Sequence, residues 1–315
     1  MFDEILRAEE RIRSYIKETN LEYSPSLSEL GKCHVYLKLE NQQITGSFKL
    51  RGAINSLISL SLDSDKRHFV TASSGNHGAA FAYGISKLNL TGTIFLPTNA
   101  STVKIEALKK DNVAVKLHGT DCIEAEMFAR RYAEENNLTF ISPYNDLKVI
   151  AGQGTVGIEI NNQIDDPDYI LVPIGGGGLI SGIAGYFKDT SERVKILGCQ
   201  PSNSPVMYES IKAGKIIEYE SLPTLSDGTA GGIEPDSITF KYCQKYVDDY
   251  ILLSEEEIKN ALKILYEEHG LIVEGAAALS VAAFIKEIKT FEESKVVLMI
   301  TGSKISDEIF QEVFT

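Results

Sequence analysis

The run Tyr169-Ile-Leu-Val-Pro-Ile174 passes without a polar spacer into four glycines, Gly175, Gly176, Gly177 and Gly178, and a helical pattern resumes at Leu179. An unbroken apolar run of this length marks a strand buried on both faces, the kind found in parallel sheets covered by helices. Four residues without a Cβ let several backbone N–H groups converge on one point, and the following helix adds the positive end of its dipole. A packing turn between strand and helix needs only one or two glycines, so the run reads as a phosphate cradle. No GxxxxGK[ST] occurs, so the phosphate is not held as in a P-loop.

The same rhythm of strand, turn and helix runs through the chain. Apolar spacing predicts a helix over residues 2–19 and a strand over 34–39, followed by a helix behind Ser47 as N-cap. Strands are expected over 68–72, 91–96, 113–117 and 139–142, with helices over 79–88, 101–110 and 122–136 between them. In the second half, strands are expected over 169–174, 194–199 and 295–301. Helices are expected over 179–187 and 254–269, the latter opened by a capping box of Ser254 and Glu257. Alternation with short links is the signature of βαβ units, so the expected fold is α/β with mostly parallel sheets flanked by helices. Strong turns in both halves point to two domains, large and small, facing each other across a cleft.

Two further stretches carry chemistry. In Ser47-Phe48-Lys49-Leu50-Arg51-Gly52-Ala53, Lys49 falls in the first turn of a helix, where the dipole disfavours an ammonium. Between Phe48 and Leu50 such a lysine can lose its proton and act as a nucleophilic amine. Taken alone, a lysine early in a helix also describes solvated surface. Ser73-Ser74-Gly75-Asn76-His77-Gly78 joins strand to helix and is denser in polar groups than a packing turn requires. Its backbone N–H groups and hydroxyls form a nest suited to a carboxylate. By contrast Gly152-Gln-Gly154-Thr-Val-Gly157 matches GxGxxG, but the segment before it is short for a central strand. These glycines are expected to let helices pack closely instead of binding a dinucleotide.

Bulk properties narrow the partners. The 315 residues are 43% hydrophobic and 24% charged with a net charge of -13, an excess that argues against nucleic acid or an anionic membrane as partner. No apolar run reaches membrane-spanning length, and Met1-Phe2-Asp3-Glu4 does not open a secretory signal. Cys33, Cys122, Cys199 and Cys243 are scattered with no CxxC, so reduced thiols in a cytoplasmic protein are expected, with neither zinc site nor disulfide framework.

An amine, a phosphate nest and a carboxylate nest together suit a phosphorylated aldehyde and a small amino acid. With SFKLRGA, SSGNHG, AGQGTVGIEI, PIGGGGL and the SDG at 226–228 in this order, the chain resembles pyridoxal-phosphate enzymes of the tryptophan-synthase-like fold (fold type II). The branch is that of serine/threonine dehydratases and serine racemase, since His77 stands where cysteine synthases of this fold usually carry threonine. The resemblance implies that Lys49 holds pyridoxal 5'-phosphate and removes the Cα proton, with Phe48 beside the ring. It places Asn76 on the cofactor's 3'-oxygen, Gly175 to Gly178 around the phosphate, and Thr301 opposite the pyridine nitrogen. Ser73, Ser74, Gly75, Asn76 and His77 would hold the substrate carboxylate, and Ser74 would face Lys49 across the substrate as the opposed acid.

Departures from the family pattern matter too. Gln200 and Val206 stand where metal-activated members have two carboxylates, so no metal site is expected there. Thr301-Gly-Ser-Lys304 replaces a common Ser-Gly-Gly-Asn, and 227–232 is unusually rich in small residues. With the sequence ending at Thr315, the regulatory domain of biosynthetic threonine dehydratases is not expected. The expected domains are 1–67 with 147–315 as the larger, cofactor-anchoring one and 68–146 as the smaller, substrate-side one. The expected activity is dehydration of a β-hydroxy amino acid to a 2-oxo acid and ammonia. Amino-acid racemisation is the alternative, a non-catalytic small-molecule or nucleotide binder the distant one, and a homodimer is implied by the resemblance.

Overall fold

The computed structural model describes residues 1–63, 67–110, 112–191 and 193–314. Helix α1 (Phe2–Ile12) opens the chain, followed by β1 (Leu21–Tyr23), α2 (Pro25–Gly31) and β2 (His34–Leu39). Helix α3 (Lys49–Asp63) leads into β3 (His68–Ala72), α4 (Asn76–Lys87), β4 (Thr91–Leu96) and α5 (Thr102–Leu108). Next come β5 (Val113–Leu117), α6 (Cys122–Glu135), β6 (Thr139–Phe140), α7 (Leu147–Gln163), β7 (Tyr169–Pro173) and α8 (Gly178–Thr190). The chain continues with β8 (Lys195–Pro201), α9 (Val206–Ala213), α10 (Ile238–Tyr246), β9 (Asp249–Leu253) and α11 (Glu255–His269). Helix α12 (Gly275–Lys286), β10 (Lys295–Ile300) and α13 (Asp307–Phe314) close it.

Two sheets result, as the alternation implies. One has the order β1-β2-β10-β7-β8-β9 and is parallel except for β1; the other has the order β5-β4-β3-β6 and is parallel throughout. Period-two alternation splits each strand between two cores. In β10, Val296, Leu298 and Ile300 pack into one cluster beneath α12, while Val297 and Met299 pack into the opposite one with α8. In β3, Phe69 faces α4 and Val70 and Ala72 face α6. Strands β3, β7 and β10 all release the chain at their carboxyl ends toward one cleft, the place where parallel sheets bind ligands.

Several expectations are corrected. The first helix stops at Ile12 rather than reaching residue 19, and Thr19 instead gives its N–H to the buried Glu159 carboxylate at 3.2 Å. Ser47 is not an N-cap: it forms a bridge with Gly302, its hydroxyl has no partner, and the helix begins at Lys49. Strand β6 ends at Phe140 because the Ser142 hydroxyl accepts the Asn145 N–H at 3.0 Å and turns the chain. Helix α12, buried on every side, escaped notice because it lacks an amphipathic period. The GxGxxG segment lies wholly inside α7. A Cβ on Gly182 of α8 would stand 2.5 Å from the Gly154 nitrogen, so these two helices cross backbone to backbone.

One polar cluster sits inside this frame. Arg51, in the first turns of α3, reaches Glu40 through Nε at 2.8 Å and Nη2 at 2.7 Å. It also reaches Glu159 of α7 through Nη1 and Nη2, each at 2.8 Å. Lys38 adds a bond to Glu159 at 2.7 Å, and all four side chains are buried. Burial alone would push the Glu159 carboxyl upward, but the Arg51 and Lys38 charges outweigh it and hold it at about 2. Arg51→Met would strand the buried Glu40 carboxylate and leave Glu159 to Lys38 and Arg13. It should lower the unfolding free energy by about 3–5 kcal/mol, read from the urea midpoint.

Candidate active site

The amine of Lys49 heads α3, and the segment before it is stitched to the end of β10. Phe48 gives its N–H to the Thr301 carbonyl at 3.2 Å, next to the Ser47–Gly302 bridge. Lys49 Nζ donates to the Pro143 carbonyl at 3.0 Å and lies 5.3 Å from the centre of the Phe48 ring. Burial pulls this amine down to about 8, against the opposing pull of the Glu274 carboxylate. A cavity of about 230 Å³ opens beside it.

On one side of that cavity stands the glycine run. Gly177 has φ +84°, the left-handed region that favours glycine, and α8 starts directly behind it. A Cβ on Gly176 would lie 2.4 Å from the Tyr144 ring, so the loop approaches that ring as closely as bare backbone allows. Thr239 donates to the Gly176 carbonyl at 2.6 Å and holds the loop open. The N–H groups of Gly176 and Gly177 have no acceptor among the described residues. Two free N–H groups at a helix N-terminus fit a phosphate.

Two buried oxygens aimed at nothing complete the picture: Thr301 Oγ1 and Asn76 Oδ1, both on residues lining the cavity. Buried polar atoms seldom lack partners, and a polar-edged ring between them would supply both. On the opposite side are Ser73, Gly75, Asn76 and His77. The His77 ring is buried, with Nε2 placed 3.1 Å from Thr71 Oγ1 and 3.2 Å from the Ile141 carbonyl. A carbonyl only accepts, so Nε2 carries the proton. Burial and the nearby Lys49 amine push this imidazole down to about 3, and it stays neutral. Ser74 does not line this cavity. It faces an adjoining outer chamber of about 250 Å³ shared with Asp227, Glu274 and Lys304.

Glu274 was missed from the sequence. It precedes α12 as its N-cap, is 5% exposed, and accepts from Asn76 Nδ2 at 2.7 Å. The available signal was a single carboxylate in the otherwise uncharged run 271–285. Burial pushes its acid up to about 7; Asp227 adds to the rise, while the Asn76 hydrogen bond and Lys304 oppose it. Tyr144 also lines the cavity without having been singled out, as do Gly228 and Thr229 from the small-residue stretch noted at 227–232.

A nucleophilic amine, a phosphate nest and unpaired atoms for a polar ring define an enzyme that works through a phosphorylated aldehyde cofactor. The family model described as "Pyridoxal-phosphate dependent enzyme" matches residues 12–302, and the chain belongs to that family; its cofactor is pyridoxal 5'-phosphate. It is 38% identical over 311 residues to an L-threonine ammonia-lyase of Thermotoga maritima, covering 99% of this chain and 77% of that protein. Its fold matches the processed form of threonine deaminase isoform 2 from Solanum lycopersicum with a TM-score of 0.92 at 32% identity, covering 99% of this chain and 87% of that one. Maize serine racemase matches with a TM-score of 0.91 at 32% identity, covering 99% and 95%. Among the described residues no helix is long and apolar enough to cross a membrane.

The raised acid of Glu274 carries a stability cost of definite sign. Its folded value of about 7 exceeds the ordinary 4.5, so between those pH values the folded chain holds more protons than the unfolded one. Stability therefore falls as pH rises through this window, by on the order of 3 kcal/mol when complete. Glu274→Gln removes that cost. The cofactor-stripped variant should resist urea better than the parent at pH 8 and equally at pH 4.

Proposed function

We propose that the chain is an ammonia-lyase that dehydrates a β-hydroxy amino acid, such as L-threonine or L-serine, to a 2-oxo acid and ammonia. One observation carries this reading: the Lys49 amine, held at about 8 by burial, shares one cavity with the Gly175 to Gly178 nest and with Ser73, Gly75, Asn76 and His77. The family membership and the ammonia-lyase relative support it. A plain ligand-binding role would leave no reason to bury an amine there without an ion pair among the described residues.

When bound, pyridoxal 5'-phosphate supplies an aldehyde for the substrate amine and a ring that takes up electron density from Cα. The protein does the rest. Gly175 to Gly178 would hold the phosphate at the start of α8, Phe48 would flank the ring, and Thr301 would offer its hydroxyl to the ring nitrogen, which a hydroxyl, unlike a carboxylate, would not keep charged. The N–H groups of the Ser73–His77 turn orient the substrate carboxylate. Lys49 Nζ, largely neutral above pH 8, accepts the Cα proton. The departing hydroxyl takes the proton that Lys49 removed from Cα and leaves as water, and hydrolysis of the dehydrated product yields the oxo acid and ammonia. No divalent ion is assigned: Gln200 uses its amide to accept the Tyr208 N–H at 2.8 Å and to donate to the Ile174 carbonyl at 3.2 Å.

We assign 68–146 to the smaller domain, which holds the four-stranded sheet, and the rest to the larger. We take the enzyme to be a cytoplasmic homodimer, with no nucleic-acid or membrane partner. Purified protein should release ammonia and a 2-oxo acid from L-threonine or L-serine. Borohydride should fix the cofactor to the peptide containing Lys49, and Lys49→Ala should abolish both results. Label on another lysine would overturn the assignment.

Racemisation is the second reading, favoured by the likeness to maize serine racemase. It requires an acid opposite Lys49, the role assigned to Ser74. Ser74→Ala should remove any conversion of L- to D-serine by about 10²- to 10⁴-fold while L-dehydration persists, as chiral chromatography would show. Equal loss of both reactions would show that Ser74 is not a face-specific acid.

A further inference from the structure

The two sheets meet at the Ser73–His77 turn through a pair of side chains. Asn76 opens α4, behind the four-stranded sheet, and its Nδ2 donates at 2.7 Å to Glu274 at the head of α12, behind the six-stranded one. Lys304, just past β10, reaches the Gly75 carbonyl of the same turn at 3.4 Å. The space for Glu274 is built: a Cβ on Gly302 would lie 2.4 Å from its Oε1, so the carboxylate rests against bare backbone. Glu274 has no ion pair within 4 Å among the described residues. The charged groups around it are Asp227 from the turn before α10, Lys304 from the loop after β10, and Lys49 from α3; the polar group facing it from α4 is Asn76.

We infer that Glu274 is a positioning residue: its carboxylate clamps the Asn76 amide and, through it, holds the carboxylate-binding turn against cofactor and substrate. The inference rests on the substrate reading given above. Asn76 has one N–H committed to Glu274, so the amide cannot swivel, and its unpaired Oδ1 and second N–H keep fixed places in the cavity wall. An ionised acceptor makes the stronger bond, so the clamp is tight when Glu274 is charged and loosens when it is protonated. A titration close to neutral pH follows, and it explains why a buried carboxylate is kept where a neutral amide would cost the fold less.

The test uses the full-length holoenzyme with Glu274→Gln, Glu274→Ala, Asn76→Ala and the double Ala variant. The absorption and circular dichroism of the bound cofactor, followed without substrate, should shift with a midpoint near pH 7 in the parent. That shift should vanish in Glu274→Gln. The KM for L-threonine should rise roughly ten- to a hundredfold in Glu274→Ala. In Glu274→Gln, whose amide oxygen still accepts from Asn76, it should rise less, with kcat less affected in both. The double variant should be no worse than Asn76→Ala alone. Should Glu274→Ala fail to fold, Glu274→Gln and Asn76→Ala carry the comparison. An unchanged cofactor titration in Glu274→Gln, or single effects that add in the double variant, would overturn the inference. A parent that leaves L-threonine and L-serine untouched while the spectral shift disappears in Glu274→Gln would sink the dehydratase reading and leave the clamp standing.

Discussion

Arg51 and the two carboxylates it holds decide where the reactive amine sits. The guanidinium grips Glu40, just past β2, and Glu159, deep in α7, and thereby ties α3 to both at one angle. Lys49 is two residues away on the same helix. Buried ion pairs of this kind seldom add net stability over a well-packed apolar core; their use is to specify one arrangement among several. An apolar side chain at position 51 could slide along α7, whereas a bidentate fork cannot. The glycine crossings of α7 against α3 and α8 act in the same direction, because helices in backbone contact leave little room for adjustment.

Within that frame the chemistry comes from what burial does to charge. The Lys49 amine and the Glu274 acid are both driven toward their neutral forms by removal from water, and the Glu274 carboxylate partly counters this at Lys49. Both therefore exchange protons close to neutral pH. His77, tied through Nε2 to the β3–β6 side and kept neutral, cannot compete for those protons. The site thus holds a buried amine whose proton affinity is lowered, a buried carboxylate whose proton affinity is raised, and a neutral histidine locked by its hydrogen bonds.

Much of this was legible in the chain itself. The strand–helix alternation, the glycine run and Lys49 in the first turn of a helix follow from local rules, since apolar period, glycine density and dipole position are properties of neighbouring residues. Family resemblance supplied the cofactor. Other features had no local mark. Strand β1 is three residues long, α12 has no polar face, and Ser47 looks like a cap yet bridges to a residue more than two hundred positions away.

The sequence by itself determined the α/β class and, through its family motifs, the cofactor, and it marked Lys49 and Gly175 to Gly178 as candidates for the amine and the phosphate nest. Only the tertiary structure decided that Glu274 meets Asn76, that Ser74 faces the outer chamber and that His77 is locked beneath the site. The physical reason is distance along the chain. Period and propensity act over a few residues, whereas the bond between positions 76 and 274 forms only once two sheets have packed and expelled the water between them. That same loss of water sets the proton affinities of Lys49 and Glu274: neighbouring residues pointed to a lowered Lys49, but nothing near Glu274 in the chain marked its acid as raised.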